Sequence, residues 1–279
     1  MSAPPNSSRP TVLVFAGLDP GGGAGLAADV LTIAALGAHA LPLATALTVQ
    51  DNDHVFAVTA VDADLLERQA MTLLAKMQVH AVKIGMVGSS ANGEAIARVI
   101  GVLRARHPAL PVVLDPVCVS GQGDTLSPLA ALAPLLPLAS LITPNLPEAA
   151  LLADCAGMQG QVQVQGEQLR RRWPADVLIT GGHASDADRA LVVNHWFGPD
   201  GARAWRWPRL AGDFHGSGCT LAAAIAARLA CGDAMASALD TAQRATHEAL
   251  ADSFSIASGQ RIPARVRLAD HLCHVEQIR

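Results

Sequence analysis

Gly212-Asp213-Phe214-His215-Gly216-Ser217-Gly218-Cys219-Thr220 runs directly into an alanine-rich stretch. Gly216 and Gly218 allow a tight turn and a close approach of backbone to ligand. A helix starting there presents free N–H groups and the positive end of its dipole, which suits a transferring phosphoryl group. Cys219 would sit at that helix start, where a thiol pKa is lowered. Taken alone, the same residues are equally a turn and an N-cap, with Cys219 in the core. A second loop, Gly17-Leu18-Asp19-Pro20-Gly21-Gly22-Gly23-Ala24-Gly25, also leads from a strand into a helix. It has no Gly-Lys-Ser/Thr and does not fit Gly-x-Gly-x-x-Gly with an acidic partner, so neither a Walker ATPase nor a dinucleotide fold follows from it. In Thr143-Pro144-Asn145-Leu146-Pro147-Glu148, the amide and the carboxylate stand three residues apart. They could hold Mg²⁺ near phosphates, through water. They match a helix capping box at least as well. Asp115, after Val112-Val113-Leu114, is a lone aspartate at a strand end, and a turn role fits it as well as a catalytic one.

The elements that position these groups alternate between strand and helix. Thr11 to Ala16, Leu41 to Val49, His80 to Ile84, Pro111 to Leu114, Ser140 to Thr143 and Val177 to Thr180 read as strands, and Phe56 to Val61 as a short one. Helices are expected over Ala24 to Leu36, Ala63 to Met77, Ala91 to Arg106, Pro128 to Leu136, Pro147 to Ala153 and Glu167 to Trp173. This is the pattern of a mostly parallel sheet covered on both faces. Ala190 to Phe197 and Ala202 to Trp207 flank Gly198-Pro199-Asp200-Gly201 and predict an edge hairpin. Helices at Ser217 to Cys231 and Ala234 to Ser253 close the pattern. In such a sheet, ligands bind at the carboxyl ends of the strands. The polar and glycine residues collect at those ends: Asp19, Gln50, Gly85-Met86, Asp115, Asn145 and Gly181-Gly182-His183.

Composition narrows the class. Formal net charge is -4 with the cations scattered, which argues against a nucleic-acid surface. The five cysteines (Cys118, Cys155, Cys219, Cys231 and Cys273) form no CxxC, so a reducing compartment is expected. MSAPPNSSRP has no apolar run, so no signal peptide is expected, and residues 1–10 read as a disordered tail. Pro128, Pro134 and Pro137 interrupt the longest apolar tract, so no membrane contact is expected. Residues 11–279 read as one domain, with the cytoplasm as its address.

Taken together and in order, AGLDPGGGAGLAADV, ALTVQ, KIGM, VLDPV, LITPNLPEA, TGGH and HGSGCT resemble the hydroxymethylpyrimidine/phosphomethylpyrimidine kinases of thiamine biosynthesis. The resemblance runs from about Thr11 to Gly232. It implies an α/β ribokinase-like fold: a three-layer α/β/α sandwich with a central, mostly parallel sheet and no separate lid domain. It also implies ATP and Mg²⁺ as cofactors, a small pyrimidine substrate and a homodimer. Gly17, Asp19, Gly23, Asp29, Gln50 and Met86 would surround the pyrimidine, with Gln50 reading its edge. Asp115, Asn145, Thr180, Gly182 and His215 would surround ATP, with Asp115 and Glu148 toward the metal. Gly216, Ser217 and Gly218 would form the anion hole, with Cys219 in the position of the catalytic residue. Thr180 stands where many members carry lysine, which bears on the second phosphorylation. Other readings are a pyridoxal kinase of the same fold, a non-catalytic pyrimidine-binding protein, and an NAD-dependent dehydrogenase. The missing dinucleotide fingerprint weighs against the last.

Overall fold

The structure, a computed structural model, describes residues 9–117, 127–153, 161–182 and 190–266. Most of the expected disordered tail (residues 1–8) lies outside them, as do Cys118, Cys155, His183 and Cys273. In chain order the elements are β1 (Thr11–Leu18), α1 (Gly25–Ala35), β2 (His39–Gln50), β3 (Val55–Ala60), α2 (Ala63–Leu74), β4 (Ala81–Ile84), α3 (Ser90–Arg106), β5 (Val112–Leu114), β6 (Leu141–Ile142), α4 (Leu146–Leu152), α5 (Val162–Arg172), β7 (Asp176–Ile179), β8 (Leu191–Gly198), β9 (Gly201–Pro208), α6 (Ser217–Ala230) and α7 (Met235–Ala251).

They form one nine-stranded sheet in the order β3-β2-β1-β4-β5-β6-β7-β8-β9. β2, β1 and β4 to β7 are parallel; β3 joins one edge antiparallel, and the hairpin β8–β9 closes the other. Alternation along β1 divides the core. Leu13 and Phe15 face a cluster with α2, α3, α4 and α5, whereas Val12, Val14 and Ala16 face α1, α6 and α7. In α6 every residue from Ala222 to Ala227 is fully buried, and its small side chains let the helix lie close under the sheet. Strand order reverses at β1, which is flanked by β2 and β4. The carboxyl end of β1 is therefore where an open α/β sheet leaves a crevice. No helix among the described residues is long and apolar enough to cross a membrane.

Two expectations need correction. Pro128 to Leu136 is not a helix but two short 3₁₀ turns, Leu129–Leu132 and Leu136–Leu138. Pro134 and Pro137 lack the N–H groups that a continuous helix requires there. Conversely, α5 begins at Val162 rather than near Glu167. Gly166 lies inside it, with the Phe197 ring in the place a Cβ would take.

Candidate active site

The crevice is a cavity of about 490 Å³. On one side stands the start of α6. Its N-cap, Gly216, has φ +76° and offers no side chain to the helix, while Thr220 N and Oγ1 both donate to its carbonyl, at 2.9 and 2.8 Å. The N–H groups of Ser217, Gly218 and Cys219 are therefore left without an intrahelical acceptor, and these residues line the cavity. Gly216 is required twice over: its φ is left-handed, and a Cβ would stand 2.2 Å from the Gly23 carbonyl oxygen. The result is a concave set of donors with the dipole of a 14-residue helix behind it.

Across the cavity is the glycine-rich loop after β1. Asp19 organises it, accepting from Gly21 N at 2.7 Å and Ala24 N at 2.8 Å, with His215 Nε2 at 2.9 Å. Burial would raise the Asp19 carboxyl. Hydrogen bonds from His215, Gln50 and Ala24 outweigh it and hold the group down at about 2. Asp19 thus ties Gln50, at the end of β2, to His215, beside the anion hole. Gly17, Gln50 and Met86 line the same wall, with Met86 Sδ lying over Gly17.

Two predicted substrate contacts are not brought there. Gly23 does not line the cavity, because the His215 ring stands over it. Asp29 is fully buried beneath the cavity, where its Oδ2 accepts from Lys83 Nζ at 2.8 Å. A carboxylate on the buried face of α1 needs a cation, and the cation is the residue that sequence reasoning missed. Lys83 is also fully buried, yet it lines the cavity. Burial would push its ammonium down; Asp29, then Cys219 and Asp115, hold it above the ordinary lysine range.

Asp115 and Glu148 stand toward the β5–β6 end of the cavity. Thr143 Oγ1 donates to Asp115 Oδ1 at 3.3 Å, while Asp115 Oδ2 is buried with no hydrogen-bond partner. Burial pushes Asp115 up to about 6, with Lys83 opposing. Burial, then Asp115 itself, pushes Glu148 up to about 8. The capping box is present as well: Asn145 Oδ1 accepts from Glu148 N and Glu148 Oε2 from Asn145 N, both at 2.9 Å. Glu148 therefore caps α4 and lines the cavity at once. Two buried carboxylates, one raising the other and one with an orphan oxygen, suit a hard cation. Among the described residues no three His, Cys, Asp or Glu converge, so such an ion would complete its shell with phosphate and water oxygens.

Cys219 lines the cavity, half-buried, and its surroundings oppose the lowering expected from its helix position. Burial pushes it up to about 11; Lys83 opposes this, and Asp29 and Asp115 reinforce it. Asn145, Thr180, Gly182 and His215 also line the cavity, and Thr180 N is fixed by the Pro144 carbonyl at 3.0 Å. Beyond the predicted set, the cavity continues past Val192, Trp207 and His247, whose rings lie 5.1 Å apart in the Trp207–His247 pair.

Comparison with known proteins gives a consistent picture. The family described as phosphomethylpyrimidine kinase matches residues 19–264. The chain is 38% identical over 265 residues to a hydroxymethylpyrimidine/phosphomethylpyrimidine kinase of Mycobacterium tuberculosis, covering 92% of this chain and 94% of that one. Among solved structures, the pyridoxal kinase of Staphylococcus aureus in complex with AMP-PCP and pyridoxal superposes with a TM-score of 0.81 at 27% identity, covering 93% of this chain and 94% of that one. A phosphomethylpyrimidine kinase from Clostridium difficile gives 0.70 at 30% identity, over 86% of this chain and 98% of its own.

Proposed function

The chain belongs to the phosphomethylpyrimidine kinase family and is a hydroxymethylpyrimidine/phosphomethylpyrimidine kinase, and we propose the following division of labour within its cavity. The observation that carries it is the uncapped start of α6 facing the Asp19–Gln50 wall across one crevice. ATP places its terminal phosphate against the N–H groups of Ser217, Gly218 and Cys219, with Asn145, Thr180, Gly182 and His215 around it and the base toward Trp207 and His247. The pyrimidine lies over Gly17 and Met86, with Gln50 on its polar edge and Asp19 holding Gln50 in place. Asp115 and Glu148 hold Mg²⁺, which neutralises phosphate charge when bound.

Phosphoryl transfer passes through a loose transition state, so positioning and donors aimed at the equatorial oxygens do most of the catalysis. The acceptor is the 5-hydroxymethyl group in the first step. In the second it is the monophosphate, which is largely ionised near neutral pH because its second pKa is about 6. Thr180 supplies a hydroxyl on the ATP side where a cation is frequent in the family. One continuous sheet supports reading residues 11–279 as one kinase domain, and an apolar sheet edge supports a homodimer. The chemistry fits a cytoplasmic enzyme.

The test is ATP- and Mg²⁺-dependent phosphorylation of 4-amino-5-hydroxymethyl-2-methylpyrimidine, with pyridoxal as competitor and products resolved. Both the mono- and diphosphate are expected. Monophosphate alone would place the lesion of the second step at Thr180. Exclusive turnover of pyridoxal would favour the second reading, for which the closer superposition on pyridoxal kinase speaks.

A further inference from the structure

Arg265 lies just after the matched segment, on the stretch of chain that follows α7 and whose Gln260 lines the cavity. That stretch is fastened to the loop before α6: Arg261 N donates to the Asp213 carbonyl and His215 N to the Arg261 carbonyl, each at 2.9 Å. It is fastened to the turn after β2 as well, where Gln260 N donates to Asp53 Oδ1 at 2.9 Å and Asn52 Nδ2 to the Ser258 carbonyl at 2.8 Å. Arg265 itself is 8% exposed. Its guanidinium is engaged by neutral acceptors: Nε donates to Thr220 Oγ1 at 2.9 Å, and Nη2 to the Gly23 carbonyl at 2.6 Å. Nη2 also faces the His215 and Gly216 carbonyls at the longer distances of 3.5 and 3.4 Å.

We propose that Arg265 is a positioning residue for phosphoryl transfer, aiming the backbone donors at the start of α6 through the carbonyls on their far side. The argument is peptide geometry. In a trans peptide the C=O and the following N–H point in opposite directions within one rigid plane. Fixing the Gly216 carbonyl therefore aims Ser217 N–H, and drawing the His215 carbonyl aims Gly216 N–H. Arg265 acts on Gly216 twice. Nη2 faces its carbonyl directly, and Nε–H fills a lone pair of Thr220 Oγ1, leaving that hydroxyl's own proton for the same carbonyl. Its grip on the Gly23 carbonyl fixes the opposite wall in the same way, because Ala24 N–H then points at Asp19 Oδ2. One buried fork thus joins the anion hole to the loop that organises the substrate side. Lysine carries its donors on one nitrogen and lacks the planar fork whose Nε and Nη2 make these two bonds, so it does not reproduce their geometry.

This inference rests on the anion-hole reading above, and the experiment separates the two. The parent, Arg265→Met and Arg265→Lys are compared for kcat, for KM toward ATP and pyrimidine, and for Tm. The tightening of ADP by aluminium fluoride, a planar mimic of the transferring phosphoryl, is measured with Mg²⁺ and the pyrimidine present. For Arg265→Met, kcat falls about 10- to 100-fold with both KM values changed less than about threefold, as misaimed donors require. The aluminium fluoride tightening falls by a similar factor, and Arg265→Lys loses at least about fivefold in kcat. Parent-like kcat in either variant overturns the proposal. So does a loss that lies wholly in KM with the tightening intact. If Arg265→Met does not fold, Arg265→Lys decides alone. If aluminium fluoride fails to tighten ADP on the parent, the anion-hole reading itself falls, and this inference with it.

Discussion

Cys219 is third in α6, takes a hydrogen bond from Gly25 N–H, and still has its thiol pushed up to about 11. Burial and the nearby Asp29 and Asp115 outweigh both Lys83 and the Gly25 N–H. A thiol pushed upward in this way argues against a resident base. A loose transition state does not require one. Cys219→Ala should then lower turnover on the alcohol and on the monophosphate by the same factor, well below the ~100-fold that a general base supplies at minimum. Product-resolved initial rates on both acceptors check this, and a large loss confined to the alcohol would restore the base role. The sequence displayed Cys219 and its loop but not the charges beneath it. Lys83 reads as part of the strand His80 to Ile84, because periodicity registers a strand and not what one side chain meets. Asp29 carried the usable signal. It lies among Leu26, Ala28, Thr32 and Ile33 on the buried face of α1, and a carboxylate there demands a buried cation. Breaking one side of that pair, as in Lys83→Met, should cost about 3–5 kcal/mol in urea unfolding. A change below about 1 kcal/mol would mean that the pair is not formed as described.

At the scale of elements, the site depends on two helix starts packed against each other. The turn into α6 presses on the loop into α1 so closely that Gly216 has no room for a methyl group. Gly216→Ala should force that turn out of the left-handed region, at a stability cost of about 1–3 kcal/mol. Because the same turn aims the anion-hole donors, kcat should fall at least about 100-fold, further than the stability loss alone explains. Parallel measurement of urea unfolding and kcat tests this; a variant with normal kcat would remove the α6 start from the chemistry. Most elements were legible because apolar runs, glycines and caps agree locally. The two failures differ: one involves a long-range contact, the other local proline chemistry. The expected start near Glu167 leaves out the turn that holds Gly166, against which Phe197 from β8 packs, and the apolar stretch after Pro128 is not helical because Pro134 and Pro137 lack the N–H groups a continuous helix needs.

For the whole molecule, the alternation of strands and helices predicted a covered parallel sheet but not its order. Pairings such as β1 with β4 join segments about 70 residues apart, and no local pattern encodes them. That order creates two unlike edges. β9 carries Arg203 and Arg206 and ends at Pro208, with Arg203 paired to Asp240; these are the devices that keep an edge from pairing with another chain. β3, Val-Phe-Ala-Val-Thr-Ala, has neither charge nor proline and is poorly covered, with Phe56 68% exposed. Next to it on β2, Leu47 and Val49 are 50% and 62% exposed. An unblunted apolar edge left in water invites aggregation, whereas a second copy laid against it by two-fold symmetry buries the same residues on both sides. A dimer is therefore expected through β3. Sedimentation velocity should find a dimer for the parent and a monomer for Phe56→Glu, whose carboxylate cannot be buried there without a partner. A parent that sediments as a monomer at micromolar concentration, or a Phe56→Glu variant that stays dimeric, would move the interface away from this edge. Because β3 pairs with the end of β2 that carries Gln50, loss of the dimer should also raise KM for the pyrimidine more than for ATP.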